Sequence, residues 1–184
     1  EWRIDAMGSP PPDGEIPWIA TARDPAEGGI GAMFLRARRS ALLEAASRVA
    51  LVDIEVRSLR AMSVVVDAAR FAGTGVVASF HDFKKTPSLT KLRDIVSRAR
   101  DGGADILKVA TFTSSPRDVS RLLDLFDSGG LPVAVMGMGP LGMSSRVLFA
   151  SCGSVLNYGW VHQPNVVGQW SATALRGILK SLQS

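Results

Sequence analysis

Cysteine is almost absent from this chain. The single Cys152 excludes a disulfide within the 184 residues, and with no metal-ligand spacing around it, it reads as a small buried hydrophobe and not as a nucleophile. Histidine is nearly as scarce: His81 and His162 stand far apart in sequence, so no metal site is expected. No apolar run approaches the ~20 residues of a membrane span, because each is broken by Arg, Asp or Gly, and no signal peptide is visible at the start. The expectation is a soluble, cytoplasmic protein that makes no contact with a membrane. One tyrosine, four tryptophans and seven phenylalanines do not interleave with the basic residues, so nucleic acid is a poor fit despite a net charge of +4. The charge comes mainly from arginines scattered along the expected helices. A few at strand ends could hold a carboxylate by paired hydrogen bonds, which points to an anionic small molecule.

What is present is a regular alternation. The 46% hydrophobic content is enough for a sizeable core and one domain over residues 1–184. Strands are expected at 1–5, 17–22, 51–56, 76–80, 104–111, 131–136 and 153–158. Helices are expected at 34–48 (apolar at Leu35, Leu42, Leu43 and Ala46), 61–72, 88–100, from Ser115 towards Gly129, after the Gly-rich loop 137–146, and at 171–182. Glycines 73 and 75 suit a helix C-terminus, and Ser115-Pro116-Arg117-Asp118 is a strong helix start. Residues 6–16, with three consecutive prolines, read as a linker. Repeated βα units of this length predict an α/β parallel sheet of the (β/α)8 barrel type, although seven strands are legible where a closed barrel has eight.

In such a barrel chemistry sits at the C-terminal strand ends. The run Ala104–Thr111 carries a lysine among hydrocarbon. Burial disfavours an ammonium, which is how a lysine becomes nucleophilic enough to form a Schiff base with a carbonyl. The competing reading is a strand-end lysine that snorkels to solvent. His81, one βα unit earlier, falls on the adjacent strand as a candidate base. Asp5, Asp53 and Glu55 are expected as inward-facing partners for buried cations.

Glu1-Trp2-Arg3-Ile4-Asp5, Arg23 with Glu27, Ser79-Phe80-His81-Asp82-Phe83 with Thr86-Pro87, Ile106-Leu107-Lys108-Val109-Ala110, Met136-Gly137-Met138-Gly139 with Gly142 and Ser145-Arg146, and Gly168-Gln169 occur in the order of a known family. The chain thereby resembles type I 3-dehydroquinate dehydratase of the shikimate pathway. The resemblance implies a cofactor-free lyase that dehydrates 3-dehydroquinate, an anionic carbocycle, to 3-dehydroshikimate through an imine on Lys108. It further implies that His81 is the acid–base and that Glu27 orients and tunes it. Glu1, Arg3, Arg23, Arg146 and Gln169 would bind substrate, Arg146 by clamping its carboxylate. A homodimer is implied as well.

Against the family pattern, the first strand–helix unit is missing, the second crossover is shortened to the proline linker, and Asn165 stands where a serine is usual. Two other readings fit the same barrel: a Schiff-base aldolase acting on sugar phosphates, and a non-catalytic barrel that binds a metabolite.

Overall fold

The computed structural model describes residues 1–7 and 16–182. Six strands form one sheet in sequence order: β1 (Trp2–Arg3), β2 (Ile19–Thr21), β3 (Leu51–Glu55), β4 (Gly75–Asp82), β5 (Ile106–Phe112) and β6 (Val133–Met138). The first four pair in parallel, with Trp2 opposite Ala20, Thr21 opposite Asp53 and Ile54 opposite Ala78. Helices lie between and after them: α1 (Ile4–Met7), α2 (Leu35–Ala45), α3 (Ser63–Ala72), α4 (Leu89–Asp101), α5 (Pro116–Leu123), α6 (Gly142–Ser151) and α7 (Ala172–Ser181). This is the expected α/β alternation. Most of the linker expected over 6–16 lies outside the described residues, and its first two residues, Ala6 and Met7, instead complete α1.

The chain divides into two compact units, Glu1–Phe80 with Ser97–Leu107 and His81–Val96 with Lys108–Ser184. The first has its core on Ala20, Leu42, Val52, Ile54, Met62, Val65, Ala69, Val76 and Ala78. The second is built on Leu92, Ile95, Val109, Leu122, Ala134, Val135, Phe149 and Leu175. Local rules set most boundaries. Ser115 caps α5 in a reciprocal capping box with Asp118, and Pro116 occupies the first turn. α3 stops where Gly73 takes a left-handed φ of 73°, which a side-chain-bearing residue resists.

Four expectations are corrected. The helix from Ser115 ends at Leu123, because beyond it the ladder tightens to three-residue bonds, Leu125 N–H to Leu122 and Phe126 N–H to Leu123. Residues 153–158 are not a strand. Val155 N–H donates to Val133 and Val135 N–H to Ser154 Oγ, so the segment starts beside β6. It then leaves, as the Ser154 carbonyl accepts from the Asn157 amide and the Tyr158 carbonyl from Arg146; side chains have replaced the ladder. Cys152 is exposed and not buried, because it is the residue that caps the C-terminus of α6. Finally, α2 buries Leu42 and Ala46 as expected but leaves Leu35 and Leu43 about two-fifths exposed, and an arginine, Arg38, takes the inward place.

Candidate active site

In the first unit the end of β2 delivers Arg23 into a buried ion network. Its Nη2 lies 2.9 Å from Asp53 Oδ2 and 3.6 Å from Glu1 Oε1, and its Nη1 lies 3.1 Å from Glu55 Oε1 and 2.5 Å from Ser79 Oγ. Ser79 in turn donates to Asp53 at 2.5 Å. Burial works against the Arg23 charge, but Asp53, Glu1 and Glu55 outweigh it and drive the guanidinium further towards its protonated form. Burial, with the Asp53 charge adding to it, pushes Glu55 up in spite of Arg23 and Arg38. Asp53 and Glu55 are thus the partners of buried cations that the sequence suggested. Arg3 forks onto Asp5 at 2.9 and 2.6 Å and donates to the Gly28 carbonyl at 3.2 Å. Burial raises the Asp5 carboxyl, but Arg3 and the N–H groups of Ile30 and Arg23 overcome this and hold it below the usual carboxylate range.

Glu27 is buried at the end of a single 3-10 turn, Pro25–Glu27. Asp24 caps that turn by accepting from Ala26 N–H, and Gly28 closes it with a left-handed φ of 88°. The chain then doubles back so tightly that a Cβ on Gly29 would stand 2.2 Å from the Arg23 carbonyl oxygen.

In the second unit β5 carries Lys108 as its third residue. The side chain is 3% exposed, so the snorkelling alternative does not hold. Its Nζ lies 4.2 Å from the centre of the Tyr158 ring. Arg146, on the second turn of α6, donates from Nη1 to the Tyr158 carbonyl at 3.0 Å. Lys108 and Arg146 therefore meet around one residue. Arg146 is buried, its Nε has no hydrogen-bond partner, and no carboxylate pairs with it among the described residues. Burial lowers its ordinary value to about 10.

His81 lies on β4, which runs two residues further than expected, and its ring stacks on Phe83 at 6.3 Å. Thr86 ties the following loop to the end of β5 through Thr111 Oγ1 and the Phe112 carbonyl, both at 2.9 Å. The last loop is locked to the loop before α6: Gly139 N–H donates to Val167, and Gly142 and Gly168 approach so closely that a Cβ on Gly142 would stand 2.6 Å from the Gly168 carbonyl. Gln169 Oε1 accepts from Asn165 N–H at 3.1 Å, leaving its amide NH₂ to donate elsewhere.

The site residues expected from sequence therefore fall into two groups: Glu1, Arg3, Arg23 and Glu27 in the first unit, and His81, Lys108, Arg146 and Gln169 in the second. Sequence reasoning missed Arg38, the inward arginine of α2. Its signal was spacing: residue 38 stands four before Leu42 and seven before Ala45, on the buried stripe. Among the described residues no cluster of three or more His, Cys, Asp or Glu could hold a metal ion, and no helix is long and apolar enough to cross a membrane.

The family model for type I 3-dehydroquinase matches residues 1–184. The 3-dehydroquinate dehydratase of Halobacterium salinarum is 37% identical over 202 aligned positions, covering all of this chain and 88% of that protein. The catabolic 3-dehydroquinate dehydratase of Acinetobacter baylyi is 35% identical over 138, covering 72% of this chain; the aligned part spans about half, 51%, of that protein. Among solved structures, 3-dehydroquinate dehydratase from Geobacillus kaustophilus superposes with a TM-score of 0.85 at 29% identity, over 92% of this chain and 69% of that one.

Proposed function

The chain belongs to the type I 3-dehydroquinase family, and we propose that it dehydrates 3-dehydroquinate to 3-dehydroshikimate in the shikimate pathway, through an imine on Lys108. The observation that carries this reading is the setting of Lys108, buried in mid-strand under the Tyr158 ring, one residue away from a guanidinium with no carboxylate partner. The free amine of Lys108 is the form that attacks a ketone. The attack forms a C–N bond, and loss of water gives an iminium whose positive charge the aromatic face suits. The iminium acidifies the adjacent carbon, so a moderate base removes a proton and the electron pair moves onto nitrogen as an enamine. The enamine expels the β-hydroxyl, which departs as water once protonated, and hydrolysis frees Lys108.

His81 is the base and then the acid in this scheme, since imidazole works in both directions near neutrality. Glu27 is the carboxylate that tunes it. Arg146 clamps the substrate carboxylate, for which a desolvated arginine with a spare N–H is suited. The Gln169 amide, Glu1, Arg3 and the Arg23 edge beside Glu1 take the ring hydroxyls. The same reading comprises one barrel domain over 1–184, the span that the family model matches, and a cytoplasmic homodimer, which sedimentation at micromolar concentration tests.

The deciding experiment mixes the protein with 3-dehydroquinate, adds borohydride, and locates the adduct by peptide mass spectrometry while product absorbance is followed in parallel. An adduct on Lys108 with product formation supports the reading. A folded sample that gives neither refutes it.

A further inference from the structure

Arg38 is 2% exposed, and its guanidinium joins three segments of the first unit. Nε donates to the Ala22 carbonyl just past β2 at 2.8 Å, Nη1 to Asp24 Oδ2 at 2.8 Å, and Nη2 to Glu55 Oε2 on β3. Each contact bears on the segment that carries Arg23 and Glu27. Asp24 uses its other oxygen to cap the turn at Ala26 N–H, while its carbonyl accepts from Glu27 N–H at 2.8 Å and Gly29 N–H at 3.0 Å. Glu55 uses its other oxygen to accept from Asp24 N–H at 2.8 Å and from Arg23 Nη1 at 3.1 Å. One side chain on α2 thus grips the start of the turn directly and the Arg23 head through Glu55.

Packing does not ask for a charge at this position. Leu42 and Ala45 share its buried stripe, but an apolar residue at 38 would leave Glu55 Oε2 and the Ala22 carbonyl without this donor. A planar fork with donors on three edges does what no hydrocarbon can: it fixes two carboxylates and a carbonyl in one geometry.

We propose that Arg38 is a positioning residue for the reaction, acting through Asp24 and Glu55 to hold the Arg23–Gly29 turn, and with it Glu27, in working register. This rests on the dehydratase reading for its catalytic consequence, though not for its structural one. A change far from the chemistry that misplaces a reacting group by ~1 Å can cost ~100-fold in rate.

The test compares wild type with Arg38→Lys, which keeps charge and loses the fork, and Asp24→Asn, which leaves the Arg38–Glu55 contact in place. Thermal melts establish that each is folded. Hydrogen exchange at the amides of Ala26, Glu27 and Gly29 is expected to quicken about tenfold or more in both variants, with β3 unchanged. On 3-dehydroquinate, kcat should fall about tenfold or more with KM within threefold, and the double variant should be no worse than the poorer single, because both act on one clamp. Unchanged exchange overturns the clamp, whether or not the wild type turns over. Quickened exchange with kcat within twofold of wild type overturns its role in the reaction. A wild type that makes no product refutes the dehydratase reading, and the exchange data still decide whether Arg38 positions the turn.

Discussion

Arg146→Met separates binding from stability. The guanidinium is 5% exposed, holds one carbonyl, and leaves Nε unsatisfied. Burial lowers it to about 10, between two and three powers of ten below an ordinary arginine, so the fold carries it charged at an expense of ~3 kcal/mol. Methionine has similar length and no charge. Its substitution removes that penalty but orphans the Tyr158 carbonyl, which costs ~1 kcal/mol or somewhat more. The net is a variant ~2 kcal/mol more stable, or a Tm higher by ~4–8 °C in a chain of this size. Substrate binding moves the other way: a carboxylate entering the site would lose its buried partner, at ~3–5 kcal/mol, so KM should rise at least ~100-fold. The sign with pH follows from the direction of the shift. A base lowered in the fold is destabilising wherever it is charged in both states, so the gain from Met is constant between about pH 6 and 8 and shrinks as pH rises through about 10 and the folded arginine discharges. Differential scanning calorimetry across that range, with steady-state kinetics at neutral pH, reads both halves. A Tm that falls, or a KM within threefold of wild type, refutes the reasoning.

Ser79→Ala removes a hydroxyl that joins Arg23 to Asp53; urea unfolding should show a loss of ~2–3 kcal/mol, since both buried ions lose a contact. Asp118 is raised by burial but held below its usual range by the N–H groups of Ser114 and Ser115, the Ser115 hydroxyl and Arg121. Its stabilisation is full above the unfolded value and is lost as pH falls through the lower folded one, so Asp118→Asn should flatten the decline of unfolding free energy between about pH 5 and 2. Gly168→Ala meets both a φ of 82° and the Gly139 carbonyl 2.3 Å from the new Cβ. It should lower the Tm and raise KM through the adjacent Gln169, and an unchanged KM would show that the loop lock does not matter to binding.

The barrel-type alternation was legible because apolar periodicity and glycine stops are local: Gly73 ends α3 and Ser115 starts α5 with no help from distant residues. The seventh strand failed where pattern and partner parted. Residues 153–158 have strand-like composition, but a strand needs a ladder, and here Asn157 and Arg146 take the carbonyls that a ladder would use. The lysine was legible because one charge in an apolar run is conspicuous. Arg38 was not, since its charge is matched by Asp24 and Glu55, which are 14 and 17 residues away in sequence. A helix read for its apolar face discounts the arginine on it. The two carboxylates of β3 did call for buried cations, and one more cation than Arg23 was needed to satisfy Glu55.

The exposed Cys152 has a practical use. It is the sole thiol of the chain, at the far end of the helix whose second turn carries Arg146. Six residues at 1.5 Å each put the two about 9 Å apart along the axis. A maleimide dye attached there would need no engineered cysteine, and as a fluorescent reporter it would test whether α6 responds when an anion is offered to Arg146. Equilibrium titrations with unreactive carboxylates would then measure occupancy of that guanidinium directly, with turnover absent.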